Sequence, residues 1–269
     1  MKVRPAAVAG MFYPRDPIHL RSVISGLLSE ARLAAKETGQ QQPHPPRALI
    51  APHAGYFYSG PIAARAYGHW TEQLQPGDSV LIIGPSHRFY FAGLAISEAA
   101  AWETPLGSVT VDEKARRELL QLPLVKAWEP PHASEHSIEV HIPFLQYLQR
   151  EIQILPVVTG AGVQAEQVSQ MLAAYVQQPR RWIVVSTDLS HYHPADVCEK
   201  LDRETAAHIV AGDAAWLTAE RACGVTGLQG LLLLARMHGW KMHQVDLRHS
   251  GHTSGKNDAV VGYGAWLAL

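Results

Sequence analysis

The sequence predicts a single α/β domain spanning residues 1–269, with a mainly parallel, mixed central sheet covered by helices on both faces. Three observations carry this. Short apolar runs of strand length alternate with longer stretches whose apolar residues recur at helical spacing. Strands that alternate with helices in this way form parallel sheets with both faces buried. No repeat, low-complexity tract or linker divides the chain, and its 269 residues are within the reach of one α/β domain.

Taken in order, Pro17 to Lys36 carries Leu20, Val23, Ile24, Leu27, Leu28 and Ala31 on one face and reads as an amphipathic helix. Gly39 to Pro46 is a polar, proline-rich loop. Ala48 to Ala51 is a short apolar strand that stops at Pro52-His53, and a helix from Gly60 to Tyr67 follows. Ser79 to Gly84 is a second strand, stopping at Pro85-Ser86-His87. Leu94 to Ser97 is a third, and Val109 to Val111 continues a hairpin after the turn Thr104 to Gly107. Asp112 has the short acceptor side chain that caps a helix, here running to about Leu122. Helical spacing returns over Ile138 to Arg150, despite Pro143. Ile152 to Val158 is a strand, Val163 to Val176 a helix, and Trp182 to Ser186 a strand ending at Thr187-Asp188-Leu189-Ser190-His191. Helices over Ala195 to Ala211, Ala214 to Ala219 and Val225 to His238 precede closing strands at Met242 to Arg248 and Ala259 to Leu267.

Composition narrows the function. A chain that is 47% hydrophobic and 17% charged is not intrinsically disordered. A net charge of −1 gives no basic excess for nucleic acid or a membrane surface, so neither is expected as a partner. The best apolar run, Leu228 to Ala235, is much too short to cross a bilayer. The N-terminal segment lacks the apolar core of a signal peptide. With only Cys198 and Cys223, no disulfide scaffold can form. These readings together predict a cytoplasmic protein. Signatures for dinucleotide binding, P-loop chemistry, zincin proteolysis and the serine nucleophile elbow are absent from the sequence.

Histidine is the residue type that stands out: there are 15, many beside Gly, Pro, Ser or Asp. Three predicted strands end in a polar cluster that holds one. These are ALIAPHAGY with His53, VLIIGPSHRF with His87, and IVVSTDLSHY with Asp188 and His191. Open α/β sheets bind ligands in the crevice beyond the carboxyl ends of their strands. Histidine is the commonest metal ligand and the usual acid–base group near neutral pH, so three on such ends predict a site there. Any one of them alone would read as a turn residue. A fourth cluster, Glu135-His136, has two readings: groups facing the crevice as supporting or acid–base residues, or the start of a helix capped by Ser134. His132 and His141 are expected at the surface. Cys223, at the start of a helix, reads either as a thiol of lowered pKa suited to metal or nucleophilic chemistry, or as a small buried side chain. Cys198 has nothing to recommend it.

The motifs also carry a resemblance. RPAAVAGMFYP, APHAGYFYSG, IIGPSH, WETPLGSV, EHSIEVHIPFLQ, VVSTDLSHY, ACG and HSGHTSGKNDAVVGYGA occur in order over nearly the whole chain. In these segments the sequence resembles the Memo family, known in prokaryotes as AmmeMemoRadiSam system protein B. The resemblance implies a fold like the class III extradiol dioxygenases of the LigB type, non-haem iron(II) enzymes that hold iron with two histidines and a carboxylate. It implies a metal site made by His53, His87 and Cys223, with Asp188 and His191 lining the same crevice and Glu135 and His136 as further candidates. Non-haem iron(II) is the expected metal, with copper or zinc as alternatives. A thiolate in place of the carboxylate puts ring cleavage in doubt, because it donates more electron density and is itself oxidisable. The implied partners are a radical S-adenosylmethionine protein and an AMMECR-type protein, beside an unknown small-molecule or peptide ligand.

Two functions of different class follow. One is a metal-dependent redox or oxygenase-type enzyme on an unknown substrate, in which His191 moves protons and Asp188 orients it. The other is a binding module that reuses the crevice for a peptide or partner protein, with Tyr56, Phe57, Tyr58, Phe89, Tyr90 and Tyr192 as candidate lining.

Overall fold

The computed structural model describes residues 2–39, 42 and 44–269. Its elements, in chain order, are β1 (Val3–Arg4), α1 (Pro17–Glu37), β2 (Ala48–Ala51), α2 (Tyr56–Tyr67), β3 (Ser79–Pro85), β4 (Leu94–Ile96), β5 (Ala101–Thr104), β6 (Gly107–Val111), α3 (Glu113–Leu119) and β7 (Val125–Ala127). After these come α4 (Ile142–Leu148), β8 (Gln153–Thr159), α5 (Ala165–Val176), β9 (Arg181–Ser186), β10 (His191–His193), α6 (Ala195–Ala211), α7 (Val225–His238), β11 (Met242–His249), α8 (Gly251–Ser254) and β12 (Val260–Ala268).

The centre is the run β8-β3-β9-β2, in which every neighbouring pair is parallel. These four strands are buried nearly throughout, which is why they read as apolar runs with no alternation. The sheet turns mixed outward. Strand β12 closes one side antiparallel to β2, and it carries β11 and β10. On the other side β8 is flanked by β6 along its start and by antiparallel β4 along its end. Helices cover the faces: α1 packs on α2, and α5 on α7. Asp16 caps α1 by accepting the His19 N–H at 2.8 Å, and Leu20, Ile24, Leu28 and Ala31 form the buried stripe of that helix.

The expected architecture is the observed one; several elements differ. Helix α2 begins at Tyr56, a turn before Gly60, because Tyr56 is buried with its hydroxyl donating to the Val140 carbonyl at 2.7 Å. Pro61 is tolerated inside that helix. The stretch expected as one helix over Ile138 to Arg150 is a 3₁₀ turn at Glu139–His141 followed by α4, with Pro143 in the first turn of α4, where its missing N–H costs nothing. Ser134 is exposed and caps neither. Ala214 to Ala219 forms only a 3₁₀ turn at Ala214–Trp216 before the chain extends at Leu217. Asp112 does cap α3, accepting the Ala115 N–H at 2.9 Å. Of the loop expected over Gly39 to Pro46, Gln40, Gln41 and Pro43 lie outside the described residues. No helix among the described residues is long and apolar enough to cross a membrane.

His132 and His141 are buried, contrary to the expectation of a surface position. The His132 ring sits edge-on to Trp102, with Nε2 3.0 Å from the Ala95 carbonyl. His141 Nδ1 meets the Tyr67 hydroxyl at 3.0 Å. Close by, Glu139 is fully buried and anchors the N-terminal arm. It accepts from Arg4 Nη1 (2.6 Å), the backbone N–H groups of Ala7 (2.8 Å) and Val8 (3.0 Å), and the Tyr13 hydroxyl (2.6 Å).

Candidate metal centre

Strands β3, β9 and β2 are consecutive in the sheet, so their carboxyl ends open onto one crevice. The register aligns Ala51 with Ser186, and Ile83 with Val185. His53 lies two residues past the end of β2, Asp188 two past β9, and His87 two past β3. The His53 and His87 rings stand edge-to-face with centroids 5.1 Å apart.

Each of these imidazoles is held by its Nδ1. Ser186 Oγ donates to the Ser137 carbonyl at 2.6 Å. Its remaining capacity is as an acceptor, so His53 Nδ1, 2.7 Å away, carries the proton. His87 Nδ1 faces Glu135 Oε1 at 2.9 Å, and the carboxylate fixes its proton there too. Both rings therefore turn an unprotonated Nε2 away from their anchors, which is the tautomer a metal ligand needs.

Glu135 is built for this task. Fully buried, its Oε1 accepts from the backbone N–H groups of His136 and Ser137 at 2.9 Å each, and its Oε2 from the His87 N–H at 2.6 Å. Burial alone would raise its pKa. The hydrogen bond and charge of His87, with the backbone donors of Ser137 and His87, outweigh that and bring it down to about 2. Glu135 thus belongs to the crevice as an ionised support of His87. His136 joins the same cluster: its ring stacks on His87 at 4.6 Å and meets His53 at 5.4 Å. The sequence readings that faced these two residues inward are the ones the structure supports.

Cys223 reaches the crevice from the loop before α7. Its Sγ is 3.3 Å from His53 Nε2 and accepts the Asp188 N–H at 3.3 Å. Gly224 lets that loop close down on β9, since a Cβ there would stand 2.3 Å from the Ser186 carbonyl oxygen. Of the two sequence readings, the thiol of lowered pKa does not hold, for the position near a helix N-terminus does not lower it. Burial and the neighbouring Asp188 carboxyl push it up to about 12. The residue is therefore a thiol at neutral pH and loses its proton only to a base or a metal.

Asp188 Oδ1 accepts the His53 N–H at 2.8 Å, and Oδ2 lies 3.9 Å from His53 Nε2. Burial raises this carboxyl to about 7, against the hydrogen bond from the His53 backbone. The expected orientation of His191 by Asp188 is not what the hydrogen bonds show; Asp188 engages His53 and Cys223. His191 sits on β10, paired with Val261. Its pKa is lowered by burial, with the Leu189 backbone opposing, and that of His53 is held well below the ordinary value chiefly by burial. Burial likewise lowers His136 to about 4, against the pull of Glu135. Burial thus favours the neutral form of His53, His136 and His191.

Sequence reasoning missed Ser186, although it closes the strand run IVVS, and Phe12, whose ring lies 4.6 Å from that of His136. It also dismissed Cys198. That buried thiol lies between Ser190 Oγ (3.3 Å) and Asp202 Oδ2 (3.1 Å), and Asp202 Oδ1 accepts the Ser190 N–H at 3.0 Å. Together they pin the segment that bears Asp188 and His191. Of the candidate aromatics, Tyr56 belongs to the core, while Phe57, Tyr58, Phe89, Tyr90 and Tyr192 are exposed.

Among the described residues, two groups bring metal-competent atoms within 4.8 Å of one another: His53, His87 and His136, and Glu199, His249 and His252. They differ in tautomer. The Gly251 N–H donates to His249 Nδ1 at 3.1 Å, so Nε2 carries the proton and points it at Glu199 Oε1, 3.4 Å away. That imidazole is set as a donor to a carboxylate. His53 and His87 carry their protons on Nδ1, which leaves Nε2 as the acceptor, that of His53 facing the Cys223 sulfur.

Fold and site define an α/β protein with a histidine crevice beyond the carboxyl ends of its parallel strands. Residues 4–267 match the family model described as Memo-like protein. MEMO1 family proteins from Sulfolobus acidocaldarius and Ignicoccus hospitalis are 37% and 36% identical, the alignments covering 97% and 98% of both chains respectively. One from Methanothermobacter thermautotrophicus is 33% identical, over 97% of this chain and 98% of its own. The chain belongs to the Memo-like family. In fold it is also similar to the uncharacterized protein JW3007 from Escherichia coli K12, with a TM-score of 0.50 and 14% identity over 80% of this chain and 98% of that one.

Proposed function

We propose that this protein binds a redox-active metal ion on Nε2 of His53 and His87, with the Cys223 sulfur as third donor, and uses it in oxidoreductase or oxygenase-type chemistry on a small molecule. Iron(II) is the first choice, with copper or zinc as alternatives, since a His₂Cys donor set suits all three. The observation that carries this reading is the anchoring of both Nδ1 positions, by Ser186 and by Glu135, which leaves two acceptor nitrogens facing one crevice. The metal, when bound, would supply Lewis acidity and electron transfer. The chain's own residues do the rest. Glu135 holds His87 in place, and Asp188 fixes the His53 backbone. The Asp188 carboxyl, near 7, can exchange a proton at the crevice wall at neutral pH. Anaerobic loading with iron(II), followed by elemental analysis of the parent, His53→Ala and His87→Ala, tests the site. O₂ consumption by the loaded protein, screened over small-molecule substrates, tests the enzyme.

A second reading is favoured by the exposed aromatics beside the strand-end motifs, Phe57, Tyr58, Phe89, Tyr90 and Tyr192. Such a rim suits a peptide or a partner protein, including the radical S-adenosylmethionine and AMMECR-type partners that the resemblance implies. Capture of such a partner by the parent, and its loss on Tyr90→Ala with Tyr192→Ala, would support this. Equal capture by the variant would remove the rim as a docking surface.

A further inference from the structure

We propose that His136 is a third imidazole ligand of this centre, able to hold the ion together with His53 and His87 when Cys223 does not. The inference rests on the metal-binding reading above and deepens it. The donor atoms of these three histidines all lie within 4.8 Å of one another, and Cys223 is not in that group. The His136 ring lies beside the His87 ring, near the same carboxylate but without the hydrogen bond that His87 makes to it. A single carboxylate oxygen, Glu135 Oε1, lies 2.9 Å from Nδ1 of His87 and 3.2 Å from Nδ1 of His136. The two rings stand nearly parallel, 4.6 Å apart with 27° between their planes. With both Nδ1 atoms beside one carboxylate oxygen, the two rings share a neighbour, and the His53 ring stands edge-on to that of His136 at 5.4 Å.

His136 is also held firmly enough to serve. Its backbone N–H is bound to the same carboxylate oxygen at 2.9 Å, and Phe12 lies against its ring at 4.6 Å. A ligand whose rotamer is fixed by packing and by a hydrogen-bonded neighbour loses little freedom on binding. Cys223 stands apart from this set: its sulfur meets the His53 imidazole at 3.3 Å. Retention of the metal then does not depend on the thiol, which is free to exchange with substrate or to be modified while three nitrogens keep the ion.

The test is anaerobic loading of the intact chain with iron(II), desalting and elemental analysis of the parent, Cys223→Ser, His136→Gln, the double variant and His87→Ala. The expected result is one equivalent in the parent, a bound ion retained in each of the first two single variants, and loss in the double variant and in His87→Ala. X-ray absorption on loaded Cys223→Ser gives a second measurement that needs no His136 variant, and three imidazoles are expected in its scattering. The proposal is overturned if Cys223→Ser loses its metal as completely as His87→Ala does, if the double variant binds as well as Cys223→Ser, or if only two imidazoles are found. A parent that takes up no metal defeats the reading beneath it. Metal in the parent with any of the other results defeats the role of His136 alone.

Discussion

Glu135 Oε1 stands 2.9 Å from Nδ1 of His87, and this contact decides which nitrogen of the imidazole looks into the crevice. The carboxylate stays ionised inside the protein because the His87 imidazole, with backbone N–H donors beside it, outweighs the effect of burial. Replacing Glu135 with Gln keeps the size but removes the charge that fixes the tautomer. Metal affinity is expected to fall about 10–100-fold, the range found when such supporting carboxylates are lost. Competition with a chelator of known affinity measures it, and an unchanged affinity would break the link between this carboxylate and the site.

Glu139 binds Arg4 at 2.6 Å with both side chains almost wholly buried. Glu139→Ala leaves the guanidinium without its partner in the interior. The expected loss of stability is about 3–5 kcal/mol, read by chemical denaturation. The N-terminal arm, which Glu139 also holds through Ala7 and Val8, should become susceptible to proteolysis first.

Gly262 packs against the carboxyl of Asp202, and a Cβ built on it would lie 1.6 Å from Oδ2. Gly262→Ala must displace Asp202, and with it the Ser190 backbone that Asp202 holds. Destabilisation of about 1–3 kcal/mol or more is expected, and His53→Ala, a change on another strand end, should not reproduce it. Thermal unfolding of the metal-free variants compares the two. Asp202→Gly combined with Gly262→Ala should recover part of the loss, which a purely local backbone effect would not allow.

His132 is neutral in the folded protein. Burial lowers its pKa to about 3 from the ordinary 6.5, with the Ala95 carbonyl opposing. An unfolded chain takes up a proton at this residue as pH falls through 6.5, and the folded one does not until about 3. Stability is therefore present above pH 6.5 and declines between 6.5 and 3. His132→Gln should flatten that part of the stability curve. An acid limb of unchanged slope would show that other groups govern it.

The centre of the fold was legible because fully buried parallel strands leave unmistakable apolar runs. Ala48–Ala51 and Trp182–Ser186 needed no tertiary information. Strands β1 and β7, of two and three residues, were not legible, because they exist only through pairing with distant strands. The strand-end rule put His53, His87, Asp188 and His191 at one crevice; His53 meets His87 and Asp188 there, while His191 stands on β10, paired with Val261. What the sequence could not carry was direction. Nothing in EHS says that Glu135 turns under His87, and nothing in the DLSH segment says that Asp188 faces His53 rather than His191. The burial of His132 and His141 depends on partners 37 and 74 residues away. For Cys223 the local argument, a helix N-terminus, lost to a tertiary one, burial beside a carboxyl.

The central claim is that two imidazoles, each with its Nδ1 proton pinned, hold a metal ion. Elemental analysis of protein loaded anaerobically with iron(II) tests it most directly, with His53→Ala and His87→Ala beside the parent and circular dichroism to confirm their folding. One equivalent in the parent, lost in both folded variants, is the predicted result. No metal in the parent, or the same metal content in all three, would contradict it.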